Sequence, residues 1–217
     1  MTRALAYCAF QESEGVSLPA TGVQGAAVRE IAEGSLRVLW SEVDWPFQPP
    51  QMQQNAVEFH QVISHVFACT AVAPFRLLTV FEDRPSLEQF VAARARQLSF
   101  DLERLRDFVQ MECVLYVIGE RVQAGAGLSA DNMEMKADLL RAIQSSAFEV
   151  KDALAGTSPE MRIRSVKSGS RLFALVRRGA EDQFRAIAES VSIPERVSRR
   201  TSGPRPASEF LSDILKA

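Results

Sequence analysis

The sequence predicts an α+β protein with two domains. Its 217 residues are enough for two small domains that each bury a core. The composition, 47% hydrophobic and 24% charged, is that of an ordinary globular protein. From residue 110 onward, strand-like and helix-like segments follow the order β, α, β, β, α, β, which is the ferredoxin-like arrangement. We expect an N-terminal mixed α+β domain at residues 1–109 and a C-terminal ferredoxin-like domain at residues 110–217.

The first domain is predicted to begin with three strands. Residues 4–10 form an apolar run that gives way to polar residues, and residues 27–32 and 36–43 flank Glu33-Gly34 as in a β-hairpin. Residues 45–50, Trp-Pro-Phe-Gln-Pro-Pro, predict a connector, because proline has no N–H to donate to a sheet.

Helical periodicity follows the connector. Residues 51–68 contain no Gly or Pro and carry apolar residues at helical spacings, which predicts a helix. Residues 72–81 predict a strand with an irregular start, since Pro74 interrupts the apolar run. Residues 87–109 predict either one helix or two helices that meet near residue 99.

The second domain has the clearer pattern. It begins with a β-rich run, which is followed by a long helical pattern that ends at Gly156. A hairpin around Gly169, a short helix and a polar strand come next. The predicted strands are 110–118, 161–166, 172–176 and 196–201, and the predicted helices are 131–155 and 184–191.

Charge is unevenly distributed along the chain. Residues 1–109 carry 9 Lys and Arg against 13 Asp and Glu, and residues 110–217 carry 16 against 14, which sum to the 25 and 27 of the whole chain. A net charge of −2 gives no general attraction to nucleic acid or anionic lipid. Residues 162–205 are nonetheless rich in arginine, which suits carboxylates, phosphates and protein interfaces, although a solvated face is the simpler interpretation.

The sequence also indicates the cellular compartment of the protein and the kinds of catalytic or metal site that it lacks. Neither a secretion signal nor an apolar run of about 18 residues is present, and the three cysteines are widely spaced, so we expect a soluble cytoplasmic protein with thiols in its core. The two histidines, His60 and His65, lie about 140° apart around the predicted helix and cannot share a ligand. No nucleophile elbow, Walker loop or metal-binding motif occurs in the sequence. We therefore expect no metal site and no catalytic dyad.

One glycine-rich segment imitates a nucleotide-binding loop. Residues 125–130, Gly-Ala-Gly-Leu-Ser-Ala, fit a relaxed dinucleotide-binding pattern. In such a site the glycines follow the strand almost at once and the next strand is parallel, whereas here a hairpin follows the helix. We interpret the segment as a loop before the helix, with Ser129 or Asp131 as its N-cap.

RNA binding is a second alternative, because RNA-recognition motifs share the βαββαβ order and stack bases on aromatic side chains of two strands. Leu115-Tyr116-Val117 resembles one of their motifs, and residues 171–176 resemble the other. However, Leu172 and Leu175 stand where a glycine and a second aromatic residue are expected, so core positions for Tyr116 and Phe173 are the simpler interpretation.

Four segments together resemble the gas vesicle protein F/L family, accessory proteins needed to build gas vesicles. The opening strand with its following hairpin and the strand at residues 109–112 are two of them. The third, residues 72–81, is similar to a family signature of proline, any residue, arginine, phenylalanine, glycine and threonine, with Leu77-Leu78 in place of phenylalanine and glycine. The fourth ends in Gly203-Pro204-Arg205-Pro206-Ala207-Ser208-Glu209-Phe210, where Arg205 and Ala207 replace a usual aromatic residue and proline.

The resemblance implies two α+β domains, the second a modified ferredoxin-like one, and a non-catalytic role in gas vesicle assembly. It also implies contact with the hydrophobic shell protein or with other accessory proteins, and no cofactor. A family paralogue that binds another partner, RNA included, is the alternative that the altered signatures leave open. Partner binding requires exposed edges, amphipathic helices or proline-rich segments. The candidate residues are Trp45, Phe47, Arg76, Pro204, Arg205 and Pro206.

Overall fold

A computed structural model describes residues 1–13, 15–118, 130–167 and 169–212. These residues adopt a mixed α+β fold with two antiparallel sheets and four α-helices. The fold divides into two units. The first combines Met1–Asp107 with the chain from Pro206 onward, and the second is Phe108–Arg205.

The first unit contains a five-stranded antiparallel sheet. Its strands are β1 (Thr2–Gln11), β2 (Arg29–Glu33), β3 (Leu36–Asp44), β4 (Val72–Pro74) and β5 (Val80–Phe81). They pair in the order β2-β3-β1-β4, and β5 also pairs with β1. The predicted first strand and hairpin are therefore confirmed.

Two helices, α1 (Met52–Phe67) and α2 (Arg84–Leu105), contact β1. Residues 4–10 of this strand are all buried, which explains why its sequence is a continuous apolar run instead of an alternating one. Tyr7 lies within this core, 5.3 Å from the ring of Phe59, and its hydroxyl accepts a hydrogen bond from the backbone N–H of Val23 at 2.9 Å. Burial raises the pKa of Tyr7.

The region after Pro85 is one helix and not two. The side chain of Asp83 caps α2 by accepting hydrogen bonds from the hydroxyl of Ser86 at 2.6 Å and from its backbone N–H at 2.9 Å. The bond from the hydroxyl, and then the bond from the backbone, hold the pKa of Asp83 below its usual value. The helix continues through Ser99 without interruption.

The single strand predicted at residues 72–81 is wrong, because the structure divides it into β4 and β5. Both pair with β1, with Pro74 opposite Cys8 and Val80 opposite Leu5. Between them the chain turns, and the N–H of Thr79 bonds to the carbonyl of Arg76 at 2.9 Å. The backbone N–H of Phe75 still bonds to the carbonyl of Tyr7 at 2.8 Å, so pairing with β1 continues past Pro74 and ends at this turn.

The second unit contains β6 (Phe108–Val117), α3 (Ala130–Ala153), β7 (Met161–Val166), β8 (Gly169–Arg177), α4 (Glu181–Ser190) and β9 (Val197–Arg205). The predicted order β, α, β, β, α, β is observed. The strands form an antiparallel sheet in the order β7-β8-β6-β9, and α3 and α4 both contact β6 and β8. The glycine-rich segment at residues 125–129 and Ser168 of the hairpin lie outside the described residues.

Two predicted boundaries at the C-terminal end differ from the structure. Strand β9 extends through Gly203-Pro204-Arg205 instead of ending at Thr201. Proline is tolerated there because β9 is an edge strand, whose outward N–H groups have no ladder partner. The residues from Pro206 belong to the first unit, although the sequence places them in the second domain.

Candidate functional site

The second sheet has one face directed away from α3 and α4. In β6, the alternate residues Val109, Met111, Cys113 and Leu115 are each at most 1% exposed and contribute to the core. The intervening residues lie on the opposite face, as do their cross-strand partners. We call this opposite face the arginine face, because its positions include Arg162, Arg164, Arg171, Arg177, Arg200 and Arg205.

A buried carboxylate lies at the centre of the arginine face. The side chain of Glu112 is only 4% exposed, and its Oε1 accepts a hydrogen bond from Nε of Arg171 at 2.5 Å. Nη1 of Arg205 lies 3.6 Å from Oε2, and the hydroxyl of Ser202 donates to the same oxygen at 3.4 Å. A carboxylate in so little contact with water requires such partners. Glu112 therefore positions two guanidinium groups of neighbouring strands.

Phe173 lies beneath two arginines of the same face. The guanidinium carbons of Arg164 and Arg171 are 5.8 and 5.3 Å from its ring centroid, within the range of cation–π interactions. The ring is 5% exposed. Phe173 therefore supports the arginines and is itself largely covered.

A register shift at Gly203, within β9, brings Arg205 to this site. Gly203 has φ 118°, in the region that favours glycine, and a Cβ there would lie 2.8 Å from the carbonyl oxygen of Gln110. The register between β6 and β9 shifts at this point, so that Glu112 is opposite Ser202 while Gln110 is opposite Arg205. Of the predicted site residues, Pro204 and Arg205 are both exposed here.

Trp45 and Phe47 of the predicted set lie in the first unit. Phe47 is 8% exposed and belongs to the core around Tyr7 and Phe59, while Trp45 is partly buried against that core. Their rings are 5.0 Å apart in an edge-to-face arrangement. The pair therefore offers little free surface.

Arg76, another predicted site residue, is exposed in the turn between β4 and β5. The adjacent Leu78 is 54% exposed, whereas Phe75 is 5% exposed and packs 5.9 Å from the ring of Phe90. The turn therefore presents a cation beside an apolar side chain.

The thiols and imidazoles of the chain lie in different environments. Burial raises the pKa of Cys8 to about 12 and that of Cys113 to about 11. Cys69 is exposed, so the prediction of a core position is wrong for this thiol. Nε2 of His65 lies 3.1 Å from the hydroxyl of Ser17. Within residues 1–13, 15–118, 130–167 and 169–212, no group of three His, Cys, Asp or Glu side chains could hold a metal ion.

Comparison with known proteins identifies the family. The sequence profile described as "Gas vesicle synthesis protein GvpL/GvpF" matches residues 4–212. The chain belongs to this family. The match spans both units and every predicted site residue, so the GvpL/GvpF family accounts for nearly the whole chain. A search of curated protein sequences finds no significant match.

Two crystal structures of gas vesicle protein GvpF share this fold. The protein from Anabaena sp. PCC7120 aligns with a TM-score of 0.77 at 15% identity, covering 97% of this chain and 96% of its own. The protein from Microcystis aeruginosa aligns with a TM-score of 0.72 at 15% identity, covering 96% and 98%. Among the described residues, no helix is long and apolar enough to span a bilayer.

The end of the GvpL/GvpF match packs within the first unit. Pro206 is partly buried, and Ala207, Phe210 and Leu211 are at most 5% exposed. The guanidinium of Arg104 on α2 donates to the carbonyl of Phe210, and the buried side chain of Asp101 accepts from the backbone N–H of Ser212 at 2.9 Å. The segment is therefore an anchored strap and not a free tail.

Sequence reasoning did not single out Glu112 or Asp101. Each is a charged residue within a predicted strand or helix, where a solvent-facing position is the usual interpretation. For Glu112 a signal was present, because a carboxylate flanked by Met111 and Cys113 occurs in a strand that is otherwise largely apolar. For Asp101 the partner is 111 residues away in the chain, and no local pattern reveals it.

Proposed function

We propose that this protein is a non-catalytic accessory factor of gas vesicle assembly, located in the cytoplasm and at the gas vesicle. In this role it binds the shell protein or other accessory proteins. The observation that carries the proposal is the GvpL/GvpF match over residues 4–212, which includes both units. The family description concerns gas vesicle synthesis, and the two GvpF crystal structures share the fold.

We further propose that the second unit is a ferredoxin-like module. The support is its element order and its sheet order, in which the second strand of the unit lies at one edge, followed by the third, the first and the fourth. Both helices contact the two central strands, β6 and β8, from the same side of the sheet.

Accessible candidates for partner binding lie in both units. Pro204 and Arg205 are exposed beside the Glu112 cluster, and Arg76 is exposed beside Leu78. Trp45, Phe47 and Pro206 are more buried, and their proposed contribution is to hold the neighbouring backbone in place.

A complementation experiment tests the assembly role. A gas vesicle gene cluster with its own F/L genes removed is expressed in a heterologous host, with and without this chain. We expect light-scattering vesicles that collapse under pressure only when this chain is present. Normal expression of the chain without any vesicles, while a native F/L gene restores them, would reject the proposal.

Binding is tested separately with purified components. The chain is immobilised and presented with the shell protein and with individual accessory proteins of the cluster. We expect at least one to be retained, and we expect Arg76→Ala or Arg205→Ala to reduce its retention. A matched variant, Arg141→Ala on α3, is expected to behave as the unmodified protein, because Arg141 is exposed and pairs with Asp138.

RNA binding is the second candidate function, and the arginine face is the observation that favours it. The aromatic positions argue against it. Tyr116 is opposite Gly169, and Phe173 is opposite Glu112. The two aromatic residues are therefore offset by four residues, or about 13 Å, along the strand direction. Salt-dependent binding to single-stranded RNA that Phe173→Ala abolishes would support this function, and no binding at low salt would exclude it.

A further inference from the structure

One cross-strand row of the arginine face carries three arginines. In the register of the sheet, Arg164 of β7 is opposite Arg171 of β8, Arg171 is opposite Val114 of β6, and Val114 is opposite Arg200 of β9. The row therefore crosses all four strands. With strands about 4.8 Å apart, its outer arginines are about 14 Å apart at their backbone positions.

This row places like charges next to each other. Arg164 and Arg171 are direct cross-strand neighbours, an arrangement that usually destabilises a sheet. Stacking on Phe173 and the ion pair of Arg171 with Glu112 offset part of that cost. Arg164 and Arg200 remain exposed at the two edges of the sheet.

The face as a whole carries a surplus of positive charge. The strand register assigns six arginines to it, and among the described strand positions of this face Glu112 is the acidic one. Glu160, just before β7, pairs with Arg162 at 2.8 Å. The net charge of the whole chain is −2, so the surplus is local to this surface. A complementary partner must bring negative charge to it.

Carboxylates fit this surface better than nucleic acid does. Glu112 already occupies a position among these guanidinium groups, and arginine binds carboxylates through planar, directed N–H groups. Of the two aromatic side chains that could stack on bases here, Phe173 is 5% exposed under two arginines and Tyr116 is 38% exposed, so at most one ring is open.

We propose that the row Arg164–Arg171–Arg200 docks an acidic segment of a partner protein. This inference deepens the proposed function, on which it rests, by assigning a surface and a chemistry to the partner. The acidic side chains extend the arrangement that Glu112 begins, so that a carboxylate of the partner protein lies against each exposed guanidinium group.

Fluorescence anisotropy tests this proposal with defined probes. The full chain is titrated into a labelled peptide that alternates Glu and Ser, into the same peptide with Lys in place of Glu, and into single-stranded polyuridine. We expect binding of the acidic peptide and not of the basic one. The affinity should fall as salt rises, since ionic screening acts over about 10 Å at 0.1 M salt.

Charge-matched variants locate the binding surface. The double variant Arg164→Ala/Arg200→Ala should weaken peptide binding by about tenfold or more, as expected for directly contacting charges. The control Arg29→Ala/Arg141→Ala removes the same charge from two exposed arginines that pair with Glu42 and Asp138, and it should bind within about twofold of the unmodified chain. Urea unfolding of both variants verifies that they are folded.

Three outcomes would overturn the inference: no peptide binding at low salt, an equal loss in the control variant, or binding of polyuridine in preference to the acidic peptide. The complementation experiment separates this inference from the proposed function. Vesicle formation without peptide binding would reject this surface alone, and peptide binding without vesicle formation would reject the assembly role alone.

Discussion

Nε of Arg171 donates a hydrogen bond to Oε1 of Glu112 at 2.5 Å across two neighbouring strands, β8 and β6. The two ends of this bond differ in environment. The side chain of Glu112 is 4% exposed, and that of Arg171 is 43% exposed. The arginine can therefore be stabilised by water, but the carboxylate depends on its protein partners.

Replacing Glu112 with glutamine keeps the shape of the side chain and removes its charge. We expect Glu112→Gln to lower the free energy of unfolding by about 1–3 kcal/mol, less than for a fully buried pair because Arg171 is partly solvated. Urea unfolding measures the change. The exposed pair of Asp138 with Arg141 provides the control, and Asp138→Asn should cost about 0.5 kcal/mol or less. Equal effects of the two substitutions would contradict a structural role for Glu112.

The register shift at Gly203 leaves no room for a side chain. Gly203→Ala should destabilise the protein by about 2 kcal/mol or more, since its Cβ would lie 2.7 Å from Sδ of Met111 and 2.8 Å from the carbonyl oxygen of Gln110. Gly179 has φ 87° with open space around it, so Gly179→Ala isolates the conformational part of the cost. Thermal unfolding compares the two, and an equal loss in both would show that the contacts at Gly203 do not matter.

The strap should stabilise the first unit through Phe210. Phe210 is 1% exposed, so Phe210→Ala should cost about 3–5 kcal/mol, as buried phenylalanines do. Phe100 of α2 lies in the same unit and is 63% exposed, and Phe100→Ala should change stability by only about 0.5 kcal/mol. Both are measured by urea unfolding. A small effect of Phe210→Ala would indicate that the strap contributes little to folding.

Stability should decrease at alkaline pH. Burial raises the pKa of Cys8 and Cys113 from an ordinary 9.0 to about 12 and about 11, so the folded chain retains protons that the unfolded chain has lost. The contribution of these two thiols to the free energy of unfolding is complete below pH 9 and is lost as pH rises through the two folded-state pKa values. Urea midpoints measured with a reductant present should therefore fall between pH 9 and 11, less steeply for Cys113→Ala. A midpoint that stays constant over this range would contradict the prediction.

The sequence predicted local elements well where a single periodicity decides them. The hairpin of β2 and β3, the helix α1 and the order of elements from residue 108 all follow from apolar spacing, glycine and proline. It failed where a distant partner decides the conformation. Residues 72–81 divide into two strands because β1 accepts both β4 and β5, which nothing within that segment reveals.

The candidate site was predicted only in part for the same reason. Residues 203–206 were identified, and Pro204 and Arg205 are exposed at the arginine face. Glu112 was not, since its importance depends on arginines that lie 59 and 93 positions further along the chain. Trp45 and Phe47 were predicted to be exposed aromatic residues, but Phe47 lies in the core around Tyr7 and Trp45 packs against that core.

The chain leaves the first unit at Asp107 and returns to it at Pro206, which has a consequence for synthesis on the ribosome. Phe210 and the carbonyl that Arg104 bonds are made only after the whole of the second unit. Since domains generally fold as they emerge, the second unit has all of its own residues available before the first does. Synthesis of the first unit therefore starts before that of the second unit and finishes after it. Until Phe210 is made, the site that this side chain fills stays exposed on the nascent chain.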